Sequence, residues 1–293
     1  SLKNFIYWDN IIEIKPLFFN QEAKISLFIL LLKNALSKNN YYRIFIGEFR
    51  SIWMRSFINT LNPKEHFVLD DGNVIIELQK KYLSMGSYPH TSKWDDLLWK
   101  CGRLIISVLH INYSKNSEFD LFTCFNIIPN SQKQKVLKHN FEYLKLNSQN
   151  KEIKKHTVYF FGGNLSETGI ISEDEEISLL NKIIKYYRTN NYTFIYIPHR
   201  RENVKKIKRI NDCLGSKILR FKYPAEYEFI ISKSHPEIIS SFFSTALYTV
   251  SQMFTFSSVD SFIIPHNKVN AAFINDTSNI YKEYMKSMNM IQL

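Results

Sequence analysis

Four short stretches place residue types that do chemistry where a chain turns. "FVLDDGN", residues 67–73, ends in two adjacent carboxylates, Asp70 and Asp71, just before Gly72. Neighbouring carboxylates repel, a setting that suits a base taking a proton from a hydroxyl. Asp-Gly is equally a turn signal, and this stretch alone leaves both readings open. "FFGGNLSETGIIS", residues 160–172, carries paired glycines, Gly162 and Gly163, that let a ligand approach the backbone, with Glu167 on the same loop. Its glycine spacing fits neither a dinucleotide fingerprint nor a P-loop. "FIYIPHRREN", residues 194–203, leaves an apolar, strand-like run at Pro198 and presents His199, Arg200, Arg201 and Glu202. A histidine beside arginines suits the neutralisation of a departing phosphate; a histidine that merely caps a loop is the plainer alternative. "SSFFSTALYTV", residues 240–250, puts Ser244 and Thr245 at the start of an expected helix. Two hydroxyls and unpaired N–H groups there make an anion site or, more simply, an N-cap.

Elements that would position these groups are clearest after residue 156. "TVYFFGG" reads as a buried strand ending in glycines, and Ser172 then caps "EDEEISLLNKIIKYYR". Acids fill the first turn of that segment, bases its end, and Ile177, Leu180, Ile184 and Tyr187 share one face. The unit recurs: "YTFIYI" precedes "ENVKKIKRINDC", "KILRF" precedes "AEYEFIISKS", and "EIISSF" precedes "STALYTVSQMF". Strands alternating with helices at this spacing predict parallel β-α units, an α/β fold with a Rossmann-like half, whose ligands bind outside the carboxyl ends of the strands. The first half is less regular but similar in kind. Helices are expected in "AKISLFILLLKNALS", in "SIWMRSFINTL" and over much of 93–110, and strands in "YYRIFIG" and "HFVLD". "KLNSQNKEIKKHT", residues 145–157, is poor in apolar residues and rich in Lys and Asn, as a linker is, which predicts domains at 1–150 and 151–293.

Composition narrows the class. Hydrophobic residues make up 45% of 293, with 23 Phe and 17 Tyr against eight Gly and eight Pro, which excludes a disordered or fibrous chain. The longest apolar run, "ISLFILLL" at 25–32, is too short for a bilayer that needs about 20 residues. No leader pattern opens the chain, and a start at Ser1 is what a trimmed chain shows, so an upstream anchor or targeting segment stays compatible. Cys101, Cys124 and Cys213 match neither a disulfide framework nor a zinc pattern, which points to a reducing, cytoplasmic compartment. A net charge of +11 implies an anionic partner: nucleic acid, an acidic membrane surface or a phosphorylated substrate. Nucleic acid is the weaker choice, because the bases are spread over both halves and no recognition signature accompanies "KKIKR".

The order of these motifs resembles the bacterial sialyltransferases. "LDDGN" matches an acidic-acidic-Gly motif, "YIPHRRE" a His motif, "YPAEYEF" the turn before the next helix, and "FFSTAL" a serine motif. The chain looks most like the lipooligosaccharide sialyltransferases of glycosyltransferase family 52, with bacterial polysialyltransferases as a second relative. The likeness spans roughly residues 66–250 and is tightest after 150. Arg200 stands where that family usually has Pro, and the first strand of such enzymes is not evident. A literal His-Pro at His235 and Pro236 follows an expected helix rather than a strand, so His199 is preferred.

The resemblance implies a GT-B architecture, two Rossmann-like domains facing a cleft, the first on the acceptor side and the second binding the CMP-sugar. It implies CMP-N-acetylneuraminic acid as donor, a galactoside of a lipooligosaccharide or capsular glycan as acceptor, and no cofactor or obligatory metal. No Asp-x-Asp pair stands in the sequence as a metal ligand for a nucleotide sugar. In the implied roles Asp70, or its rivals Asp71 and Glu167, is the base, and His199 assists departure of CMP. Ser244 and Thr245 hold phosphate or carboxylate, Glu226 meets cytidine or ribose, and Gly162, Gly163, Arg201 and Glu202 line the donor site. Relatives transfer glucose in some cases and sialic acid chains in others. They form dimers, and the basic charge suits a place at the inner face of the bacterial inner membrane.

Overall fold

The computed structural model describes residues 41–47, 49, 54, 58, 61, 63–83, 119–146 and 151–292. The apolar run at 25–32, the helices expected at 23–37 and 93–110, and Cys101 lie outside the described residues; of "SIWMRSFINTL", the described Met54, Ile58 and Leu61 are helical. The fold is α/β with parallel sheets. One four-stranded sheet has the order β1 (Arg43–Ile46), β2 (Glu65–Leu69), β3 (Asp120–Thr123) and β4 (Val136–Lys138). After β2 come a short helix α1 (Val74–Glu77) and a wider π-turn at Leu78–Leu83; after β4 comes α2 (Glu142–Leu146). The chain divides into two compact units, of which one holds β1 and β2 and the other holds residues 70–80, 122–128 and 136 onward. Asp70, Asp71 and Gly72 therefore share a unit with everything after residue 136.

That larger unit is built on alternating elements: β5 (Glu152–Phe161), α3 (Glu173–Thr189), β6 (Thr193–Ile197), α4 (Val204–Leu214), β7 (Lys217–Ile218), α5 (Ala225–Ile231), β8 (Ser234–Ser241), α6 (Thr245–Met253), β9 (Ser258–Ile263), α7 (Ile274–Tyr284) and β10 (Asn289–Gln292). Its strands lie in the order β10-β9-β8-β5-β6-β7, with all five pairings parallel. Counted from β5, this is the dinucleotide-fold order 3-2-1-4-5-6. The direction of winding reverses between β5 and β8, and that switch point is where open α/β sheets bind ligands.

The apolar runs explain the sheet. Val158, Tyr159, Phe160 and Phe161 are all buried, as in a parallel strand covered on both faces. In α3 the Ser172 hydroxyl accepts from Glu175 N at 3.3 Å, and Leu180, Ile184 and Tyr187 are buried as their spacing predicts. Glu176 lies on the same buried side, against expectation for a carboxylate.

The sequence reading did not expect β3, β4, β9 or β10, and it placed the start of β5 too late. β5 starts at Glu152, inside the stretch expected to be a linker; its first residues are exposed, and a bulge with His156 at φ 51° separates them from the buried part. β9 was hidden because it carries Ser258, Asp260 and Ser261 among its apolar residues. Inside the fold Asp260 accepts from Tyr187 Oη at 2.6 Å and from Asn289 Nδ2 at 3.1 Å, so its burial is compensated. Among the described residues no helix is long and apolar enough to cross a membrane.

Candidate active site

Because the strands are parallel, the loops after β5, β6 and β8 all leave one edge of the sheet. They carry Gly162 and Gly163, His199, and Ser244 with Thr245 respectively. β6 and β8 flank β5, so the last two loops start two strand spacings apart, on the order of 10 Å. Ser241 closes the switch point: its hydroxyl donates to Phe161 O at 2.8 Å and accepts from Ser244 N at 3.0 Å.

The loop after β6 is held from beneath. Glu202 accepts from His199 N at 2.5 Å through one carboxylate oxygen and from Tyr196 Oη at 2.6 Å through the other. Arg201 N donates to His199 Nδ1 at 3.2 Å, so the ring proton of the neutral imidazole sits on Nε2. Burial, and then the charges of Arg200 and Arg201, hold the His199 pKa below the usual imidazole value. His199 thus presents a neutral ring with Nε2–H as donor, half-buried beside two exposed arginines.

Sequence reasoning missed the group behind this loop, Lys206. It was counted in the basic run "KKIKR", yet its side chain is 0% exposed. Its ammonium lies 2.9 Å from Glu167, 3.0 Å from Glu176 and 3.0 Å from Glu202, and donates to Gly163 O at 3.1 Å. Burial raises the pKa of Glu176 and of Glu202 despite that ammonium. Lys206 itself is also pulled down by burial, but Glu176 and Glu202 outweigh this and its pKa is raised. The only sequence signal was periodicity, since Lys206 falls next to Ile207 and Ile210 on the inner side of α4.

These contacts give four of the expected site residues partners within the protein. Glu202, expected to bind substrate, has a side chain with 0% exposure and both oxygens engaged, so it anchors the His199 loop. Gly162 makes room for the protein's own groups rather than a ligand: a Cβ there would lie 2.3 Å from Tyr196 Oη and 2.6 Å from Glu202 Oε2. Gly163 likewise sits against Leu165 and gives its carbonyl to Lys206. Glu167 accepts from Asn203 N at 2.6 Å and from Lys206; burial would raise its pKa, but these two donors hold it below the usual carboxylate range. That is the wrong direction for a proton acceptor.

The acidic loop is tied to the serine motif. Gly72 has φ 62°, and a Cβ there would lie 2.8 Å from Thr245 Oγ1, so glycine is required for both conformation and approach. Asn73 N donates to Thr245 Oγ1 at 3.1 Å, and Asn73 Nδ2 donates to Phe243 O at 2.7 Å. Tyr284 Oη of α7 bonds Asn73 Oδ1 at 3.1 Å and Ser244 O at 2.9 Å. Thr245 is therefore partly spent on docking the loop. Ser244 stands at the N-cap of α6, but its hydroxyl makes no capping bond. Glu226 accepts from Thr249 Oγ1 on α6.

Asp70 follows β2 at the end of this loop. Its Oδ2 accepts from Cys124 N at 2.7 Å and lies 3.5 Å from His139 Nε2, while Oδ1 is buried without a hydrogen-bond partner. A buried carboxylate oxygen left unpaired is costly unless a ligand or water meets it. Asp71, its neighbour, is exposed. Asp70, Cys124 and His139 are, among the described residues, a group whose ligand atoms lie within 4.8 Å of one another and are of metal-binding types. Burial, and then Asp70, raise the Cys124 thiol well above its ordinary pKa. His139 was not singled out in the sequence, since one histidine in "LKHNF" carries no pattern. The literal His-Pro is not at this edge: His235 is buried inside β8, its Nδ1 2.9 Å from Pro236 O.

No curated protein matches the chain. A family model does, and of the two families that the motifs resemble it is the second, described as Alpha-2,8-polysialyltransferase (POLYST). The match runs over residues 41–262, well over half of the chain, and takes in the acidic, histidine and serine motifs together. With that span and the dinucleotide-type sheet beneath the three loops, the chain belongs to the alpha-2,8-polysialyltransferase family and is a glycosyltransferase of the sialyltransferase type.

Proposed function

We propose that the protein is an inverting sialyltransferase that moves N-acetylneuraminic acid from CMP-N-acetylneuraminic acid to a hydroxyl of a lipooligosaccharide or capsular glycan. Asp70 is the general base, and the observation that carries this is its buried, unpartnered Oδ1 beside an Oδ2 fixed by Cys124 N. An acceptor hydroxyl donating to Oδ1 would supply the missing partner and place its proton where a carboxylate can take it. His199, with its proton on Nε2, hydrogen-bonds the phosphate of the departing CMP. Ser244 and the first N–H groups of α6 hold the phosphate or the sialyl carboxylate, with Arg201 adding charge. No step is routed through a metal ion. The reaction runs on the cytoplasmic side, near the inner membrane surface, in a two-domain GT-B arrangement and as a homodimer.

The family's description favours one narrower reading, in which the acceptor is itself a sialic acid and the product an α2,8-linked chain. Incubation with CMP-N-acetylneuraminic acid and either a galactoside or a sialylated galactoside, followed by mass spectrometry, separates the two. Single addition to the galactoside supports the first reading, and ladders on the sialylated acceptor support the second. Transfer from UDP-glucose with none from the CMP-sugar would sink both.

A further inference from the structure

A groove of about 640 Å³ opens beside the Asp70 loop, lined by Phe122 of β3, Lys138 to Leu144 and Gln252 of α6. Its volume falls within the usual range for small-molecule sites, about 300–1,000 Å³. Its lining is aromatic planes edged by polar groups. His139 stacks on Phe122 at 4.7 Å between centroids and meets Phe141 edge-on at 4.7 Å. Tyr143 stands 63% exposed on the same wall. Polar side chains edge it: Lys138, which donates to Asn126, Asn140, which donates to Glu142 at 3.1 Å, and Gln252. Phe141 has φ 59°, an unfavourable backbone for a bulky residue, and such outliers gather at ligand sites.

His139 joins this groove to the chemistry, because the ring that lines the groove also comes within 3.5 Å of Asp70 Oδ2. We infer that the groove is the acceptor subsite: a saccharide lies with its ring faces on Phe122, Phe141 and Tyr143 and its reacting hydroxyl toward Asp70. This rests on the proposed sialyl transfer, since a base must touch the acceptor it deprotonates. Planar apolar faces suit the C–H faces of sugar rings, and the amide and charged edges suit their hydroxyls.

Calorimetric titration with lactose and with a sialylated lactose tests it, on the wild type, Tyr143→Ala and Gln252→Ala. Tyr143 is exposed, so its replacement leaves the fold intact. Wild type is expected to bind at least one of the two sugars saturably, and Tyr143→Ala to weaken that binding about tenfold, the loss of one aromatic anchor. Preference between the sugars tells a neutral from an anionic acceptor. Equal affinity in the wild type and both variants, or no saturable sugar binding by the wild type, overturns the subsite. Failure of the sialyl-transfer reading looks different: CMP and the CMP-sugar then fail to bind the wild type while sugar binding to the groove persists.

Discussion

Around Lys206, the buried Glu176 and Glu202, the more exposed Glu167, a tyrosine hydroxyl and several backbone groups share an engaged network. Around Asp70 the polar groups are only partly paired: one carboxylate oxygen is held, the other is not, and the Ser244 hydroxyl makes no capping bond. Both regions carry motif residues, but the first uses them to hold a loop and the second leaves some of their polar atoms without a protein partner. A satisfied network rigidifies its surroundings, while an unsatisfied buried oxygen is costly and calls for a partner such as a water or a ligand. Conspicuous charge in the sequence therefore says little about which residues react.

The largest test of this contrast is Lys206→Met. It leaves Glu176 and Glu202 buried without their cation and is expected to destabilise the fold by about 3–5 kcal/mol, read by urea unfolding. Unchanged stability with lost activity would move Lys206 from the scaffold into the chemistry. Asp70→Asn keeps an acceptor for Cys124 N and should unfold like the wild type, yet turnover should fall about 10²- to 10⁴-fold in a CMP-release assay. Glu167→Gln in the same assay should cost less than about tenfold; a larger loss than for Asp70→Asn would exchange their roles. A smaller effect is expected with pH. His199 has a folded pKa below its unfolded value, so the unfolded chain binds more protons as pH falls through the unfolded value, and stability declines until the folded pKa is passed. His199→Gln should flatten that part of the profile between about pH 7 and 5, and an unchanged slope would show that the imidazole is not held neutral. Chelation should have the smallest effect: dialysis against EDTA is expected to leave activity unchanged. Loss of activity restored by zinc would make Asp70, Cys124 and His139 ligands instead.

Much of the larger unit was legible because its elements advertise themselves. The run Val158 to Phe161 could only be a covered strand, and α3 announced its cap, its acids and its buried face. Weak signals failed for a physical reason. β9 buries Asp260 and Ser261, and only partners distant in the chain, Tyr187 and Asn289 for the aspartate and Phe242 O for the serine, make that tolerable. The candidate site was legible in its types and order but not in its division of labour. Glu202 and Gly162 read as donor contacts until Tyr196 and Lys206 came to lie against them.

By itself the sequence determined the alternation of strands and helices, hence the parallel sheet and the edge at which His199, Ser244 and Thr245 emerge. Local hydrophobic periodicity and capping are enough for that. Tertiary structure alone decided that Asp70 shares a unit with α6, that His139 reaches it, and that Lys206 is interior. Those facts depend on hydrogen bonds and burial between residues tens to hundreds of positions apart, which no local pattern encodes.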